Sequence, residues 1–215
     1  MSESCQCQGI EQQFDRRHVA GKLERYRRRG SAASTRQLVD ALEALGIDGM
    51  TLLDIGGGVG AIQHELLRAG VREAVSIEAS KAYVEAAGVE SERLGLGDRI
   101  VQLPGDFVDL ADQLADADVV TLDRVICCYD DMERLVGLSV ERTRRFYGVV
   151  YPRDTWWVRA GMAIWYNARY RLRRNPMRNF IYRTTAVEAT IRRHGFERLY
   201  HRKMGAWQVA VFGRR

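Results

Sequence analysis

The stretch Thr51-Leu-Leu-Asp-Ile-Gly-Gly-Gly-Val-Gly60 constrains this chain more than any other. Leu52, Leu53 and Ile55 read as a buried strand carrying an acid, Asp54, near its end. Glycines then stand at 56, 57, 58 and 60, before helix-forming sequence begins at Ala61. A glycine turn lets the backbone approach a ligand closely, because no Cβ stands in the way. The helix that follows aims its unpaired N–H groups back at the turn. Strand, glycine turn and helix in this order make a nucleotide cradle. An ordinary strand-to-helix turn can share the glycines, so the sequence downstream has to decide.

Downstream the pattern alternates. Strands are expected at 51–55, 74–78, 99–103, 117–122 and 146–151, with helices at 61–69, 81–93, about 109–115 and 132–145. Such alternation argues a parallel sheet with helices on both faces. A helix over 185–194 and two strands, 196–201 and 207–212, close the chain, the strands joined by a hairpin at Lys203–Ala206. Two helices precede the glycine stretch. One spans 11–30, with Phe14, Val19, Leu23 and Tyr26 along one side and Gly30 as its stop; the other follows a Ser34/Thr35 cap and runs to Gly46. Residues 1–46 are thus expected to form a helical lid on the core 51–151, with 184–212 closing the same domain. The stretch 154–178 breaks the rhythm: Trp156, Trp157, Trp165, Tyr166 and Tyr170 stand among Arg159, Arg169, Arg171, Arg173 and Arg174. It reads as an inserted helix, aromatic at first and basic at its end.

A chain of 215 residues is long enough for one domain with an ample core. No apolar run reaches the ~18 residues of a spanning helix, and the start lacks a signal-peptide layout, so a cytoplasmic location is expected. Charge is uneven. Residues 141–215 hold 18 Lys and Arg against 4 Asp and Glu, whereas the first 140 hold 15 against 24. The four cysteines, Cys5, Cys7, Cys127 and Cys128, lack the spacing of a zinc module, so no metal is expected.

Acids recur where strands end. Glu78 stands 18 residues beyond Gly60, where a ribose-binding acid is expected. Gly105-Asp106-Phe107 pairs a carboxylate with a ring, which suits an adenine, and Asp123 ends the fourth strand. Four carboxylates, Asp54, Glu78, Asp106 and Asp123, would repel a pyrophosphate and welcome a cationic nucleoside. Gly56-x-Gly58-x-x-Ala61 also fits a dinucleotide fingerprint, but no second mononucleotide half follows, and Asp54 stands where such proteins usually have an apolar residue.

These residues resemble the class I S-adenosylmethionine-dependent methyltransferases, over about 31–151 and again 184–212. The resemblance implies an α/β Rossmann-like, doubly wound sheet of about seven strands, mostly parallel, with an antiparallel C-terminal hairpin. It implies S-adenosylmethionine as methyl donor, S-adenosylhomocysteine as product, and a cofactor site made of Asp54, Gly56, Gly57, Gly58, Gly60, Glu78, Ala79, Asp106, Phe107 and Asp123. In that site the glycines line the methionine part, Glu78 holds the ribose diol, and Asp106 with Phe107 holds the adenine. Tyr129 and Asp123 are the expected catalytic residues, with His64 and Tyr26 behind them. Trp156, Trp157, Arg159 and Trp165 are expected to bind a small-molecule substrate, flat or apolar with an anionic group.

Residues 178–212 also resemble the end of the magnesium-protoporphyrin O-methyltransferases, through Phe180-Ile-Tyr182 and Ala186–Phe196. The chain departs from that family at Cys127-Cys128-Tyr129-Asp130, where the family has a His-Tyr-Pro run. Three further readings stand beside the small-molecule enzyme: RNA methylation through the basic C-terminal third, a peripheral membrane contact through 154–178, and a methyltransferase fold that binds without chemistry. The oligomeric state is left open.

Overall fold

The computed structural model describes residues 13–172 and 178–214, and of 165–167, 169 and 170 the backbone only. Cys5 and Cys7, the start of the expected first helix and the Arg173–Arg174 end of the insert lie outside the described residues.

Helices α1 (Arg16–Arg29) and α2 (Ala33–Glu43) lead into β1 (Thr51–Ile55). There follow α3 (Ala61–Arg68), β2 (Glu73–Glu78), α4 (Lys81–Arg93), β3 (Ile100–Pro104), α5 (Phe107–Leu110) and β4 (Ala117–Asp123). The chain continues through α6 (Met132–Glu141), β5 (Thr143–Pro152), α7 (Trp156–Gly161), a π-helical stretch Met162–Asn167, and α8 (Ala168–Leu172). It ends with α9 (Thr184–Arg193), β6 (Phe196–Met204) and β7 (Trp207–Arg214). Seven strands form one sheet in the order β3-β2-β1-β4-β5-β7-β6. β1, β2, β3, β4 and β5 pair in parallel, while β7 runs antiparallel to both β5 and β6.

Side-chain alternation along each strand supplies two cores, one per face. Leu53, Ile55, Val120, Leu122, Tyr147 and Val149 pack with Leu135, Val136 and Val140 of α6 and Val187 and Ile191 of α9. Leu52, Val119, Val150, Val209 and Val211 pack with Leu38 and Leu42 of α2 and Ile62, Leu66 and Leu67 of α3. The parallel order reverses between β1 and β4, so the crevice beyond the carboxyl ends of these strands is the expected ligand position.

Several expected boundaries move for identifiable reasons. Asp15 caps α1 by accepting from the His18 N–H at 2.7 Å, which leaves Phe14 outside the helix, packed on the Tyr83 ring. Ser34 and Thr35 are no caps: they lie inside α2, buried. Asp106 caps α5 through the Val108 N–H, so that helix starts at Phe107 rather than near 109. α6 stops at Glu141, because the Arg142 carbonyl already accepts from the Ala117 N–H of β4, and Arg144 and Arg145 join β5.

Candidate active site

The glycine turn is folded as its composition demands. Gly56, Gly58 and Gly60 have φ values of 70°, 56° and 86°, a region that L side chains rarely adopt. A Cβ on Gly56 would stand 2.4 Å from Val125 Cγ2, and one on Gly57 would stand 2.4 Å from Ser76 Oγ. The Gly56 N–H donates to the Ile77 carbonyl at 2.7 Å, which ties the turn to β2. A cavity of about 650 Å³ opens above this turn.

One wall of the cavity is made of carboxylates fixed by backbone. Glu78 accepts from the Gly58 N–H at 3.0 Å and from the Ser80 N–H at 2.9 Å. Asp106 accepts from the Val108 N–H at 2.9 Å and from the Tyr129 hydroxyl at 3.1 Å. Asp54 is 1% exposed; its Oδ1 accepts from Thr121 at 2.7 Å, while its Oδ2 has no hydrogen-bond partner among the described residues. Burial pushes its carboxyl up to about 7, against the Thr121 hydrogen bond and with help from Asp123 and Glu78. A buried acceptor without a donor calls for one. The set as a whole therefore fits a ligand that presents N–H, O–H or positive charge.

A second group of lining residues is mostly cationic. Lys22, Arg25, Tyr26 and Arg29 of α1, residues Ser31–Ala33, Thr35 and Arg36, and Arg124 beyond β4 border the same cavity. Arg124 is the single non-glycine residue with positive φ among those described, at 63°. Its guanidinium pairs with Asp123 at 2.9 and 3.0 Å and donates to Thr35 Oγ1 at 3.1 Å. Burial opposes its charge, yet Asp123 more than restores it and holds the guanidinium above its ordinary range. Lys22 is pulled below its ordinary range by burial and then by Arg124 and Arg25.

Helix α1 is docked by buried polar contacts. Glu90 of α4, its side chain enclosed, pairs with Arg27 at 2.7 Å and with Arg93 at 2.6 Å. The Arg93 hydrogen bond leads in holding this carboxyl below its usual range. Tyr26 meets His64 at 3.4 Å from Oη to Nδ1, and His64 Nε2 lies 2.9 Å from Ser91 Oγ. Ser91 gives its own proton to the Ala87 carbonyl. His64 Nε2 is therefore the donor to Ser91, and Nδ1 accepts the Tyr26 proton. Burial lowers His64 to about 4 and raises Tyr26 to about 12, so both are neutral near pH 7.

Residues 53–140 match the family model of the methyltransferase domain. Over this stretch the chain is similar to methyltransferase domains. A 3-amino-4-hydroxybenzoate 4-O-methyltransferase of Streptomyces cremeus is 36% identical over 83 residues, which are 37% of this chain and 21% of that protein. The chain thus spans about a fifth of that relative. The magnesium protoporphyrin IX methyltransferase of Synechocystis PCC 6803, solved with S-adenosylhomocysteine, superposes with a TM-score of 0.70 at 16% identity, covering 96% of this chain and 98% of that one. An O-methyltransferase family protein of Burkholderia thailandensis gives 0.69 at 16%, covering 94% of this chain and 61% of that one. At these identities the structural likeness is one of fold.

Within residues 53–140, Asp54, Gly56, Gly57, Gly58, Glu78, Ala79, Asp106, Phe107, Asp123 and Tyr129 all border the one cavity. Gly60 does not: it caps α3, and a Cβ there would stand 2.6 Å from the His64 ring. The two residues expected to be catalytic are already engaged, Asp123 by Arg124 and Thr35, Tyr129 by Asp106. Neither is a free base. Trp156, Trp157 and Arg159 stay off the cavity wall, and the Trp165 side chain lies outside the described residues. Lys22, Arg25, Thr35 and Arg124 were not singled out from sequence. Lys22, Arg25, Tyr26 and Arg29, at three- and four-residue spacings on α1, carried a readable signal of a shared face.

Proposed function

We propose that the protein transfers a methyl group from S-adenosylmethionine to a small molecule bearing an anionic oxygen on a flat or apolar body. One observation supports the reading: a single cavity is bordered by both a set of carboxylates and a set of cations. When bound, S-adenosylmethionine supplies a methyl group already activated on a positively charged sulfur. Glu78 would hold its ribose diol, Asp106 with Phe107 its adenine, and the Gly56–Gly58 turn over Asp54 its methionine part. Lys22, Arg25 and Arg124 would hold the negative charge of the acceptor.

Displacement at an activated methyl group needs alignment above all, which can supply about 7–11 kcal/mol. A general base is needed only when the nucleophile arrives protonated. Cations beside an acidic hydroxyl or carboxyl lower its pKa, so the cationic wall favours an acceptor that is already ionised. That agrees with the engagement of Asp123 and Tyr129 elsewhere. The Streptomyces relative acts on 3-amino-4-hydroxybenzoate, a flat acid of this kind. A porphyrin acceptor has less support, since that likeness is of fold and Cys127-Cys128-Tyr129-Asp130 departs from it.

The test is transfer of label from tritiated methyl donor to hydroxybenzoic acids, their methyl esters and simple amines. The acids should be labelled at least about tenfold faster than their esters, the worth of one charge-assisted contact. Equal turnover of acids and esters would overturn the anionic acceptor, and failure of the protein to bind S-adenosylhomocysteine would overturn the donor.

A further inference from the structure

No described residue between β5 and α9 borders the cavity just described. That segment nevertheless presents Trp156 at 80%, Trp157 at 44%, Ile164 at 66% and Leu172 at 86% exposure. Outside this segment, Val89, Val101 and Leu199 are the exposed large apolar side chains among the described residues. Exposed apolar surface gathered in one place marks a contact surface. The same stretch is one-signed. From Thr155 to Val187 there are seven arginines and no Asp or Glu, and Arg159, Arg171 and Arg178 are exposed. Its centre, Met162–Asn167, is π-helical, a form found frequently at functional sites.

We propose that Trp156–Leu172 docks the protein on an anionic lipid surface, its apolar side chains entering the headgroup boundary and its arginines meeting lipid phosphates. Tryptophan, leucine and arginine without acids are the composition of helices that lie in a membrane interface. Among the described residues no helix is long and apolar enough to cross a membrane, so the segment lies on the surface rather than through it. A second copy of this chain suits the patch poorly. Two-fold pairing would set arginines against arginines with no carboxylate between them, whereas an anionic bilayer offers a counter-charge to each. The segment leaves β5 at Pro152, two residues past the Val150–Asp123 pair. It therefore departs from the same sheet edge that holds the cavity.

The experiment is co-sedimentation of the full chain with vesicles of phosphatidylglycerol and phosphatidylcholine in equal parts, and with pure phosphatidylcholine vesicles, at about 0.1 M salt. The wild type should pellet with the mixed vesicles and stay in solution with the neutral ones. Ile164→Asp with Leu172→Asp should lower the partition coefficient at least about tenfold. Arg159→Gln with Arg171→Gln should lower it less and flatten its salt dependence. All four side chains are exposed, so unchanged melting serves as the folding control. A wild type that stays in solution with mixed vesicles overturns the proposal. So does equal pelleting by the Ile164→Asp/Leu172→Asp variant. Reversible self-association abolished by that variant, or preference for transfer RNA over mixed vesicles, would assign the patch to another partner and overturn it as well.

Discussion

The two walls of the cavity are built on different principles. Glu78 and Asp106 are short carboxylates at strand ends, each bonded to backbone N–H groups that the fold itself positions. The cationic lining consists of long side chains from α1, with Arg124 fixed by Asp123 and Thr35. Lys22 is repelled by Arg124 and by Arg25. A wall anchored to backbone suits a constant ligand, because a preorganised site loses little on binding. A wall of long cationic side chains suits a ligand class that can vary. On this view the donor end is set by the fold, and the choice of acceptor by a few replaceable residues.

The comparison can be broken most sharply at the carboxylate wall. Glu78→Ala removes the proposed donor contact and also releases the Gly58 and Ser80 N–H groups. Affinity for S-adenosylhomocysteine should fall about 100-fold or more by calorimetry, as for a lost charged hydrogen bond that leaves donors unpaired. A loss below threefold would mean that this wall does not hold the donor.

Asp54 sharpens the same point through pH. Its folded-state pKa is raised, to about 7 from an ordinary 3.8, so the native state holds the extra proton between these values. Its contribution to stability therefore falls as pH rises from about 4 to 7, and the full penalty stands above that. Asp54→Asn should gain on the order of 2 kcal/mol in urea unfolding near pH 8 and flatten this slope, while weakening S-adenosylhomocysteine binding. Urea curves for both proteins at pH 5 and 8 would check it; an unchanged difference between the two pH values would count against it.

The cationic wall should respond in the opposite sense. Lys22→Met with Arg25→Met should leave S-adenosylhomocysteine affinity within about threefold and raise KM for an acidic acceptor about tenfold, the value of a partly exposed charge pair. Steady-state kinetics with acid and ester acceptors separates the two effects. The smallest change is expected for Tyr129→Phe, which removes one hydrogen bond to Asp106. About three- to tenfold in donor affinity is the usual net worth of such a bond, with kcat nearly unchanged. A collapse of kcat would mark Tyr129 as a catalytic residue.

The same contrast decides what could be read from the sequence. The strand ends were legible, since period, glycines and acids coincide within a few residues: Asp54, Glu78, Asp106 and Asp123 all fall where the alternation expects them. Short-range chemistry fixes such positions. The engagement of Tyr129 and Asp123 was not legible, because Asp106 and Thr35 reach them from 23 and 88 residues away. Thr35 looked like a helix cap, and only tertiary packing turns it toward β4. The role of the 154–178 stretch was not legible for a related reason. Aromatics beside arginines suit a substrate cap and an interfacial helix alike, and composition cannot tell which way the helix faces.

The central claim is that the carboxylate wall receives a sulfur nucleoside while the cations bordering the same cavity receive something else. Calorimetric titration of the unaltered chain with S-adenosylmethionine and S-adenosylhomocysteine, with NADH as control, tests this directly. The account predicts one site for each sulfur compound, with Kd near the micromolar range, about −8 kcal/mol, and no heat with NADH. Binding of NADH, or no binding of either sulfur compound, would contradict it.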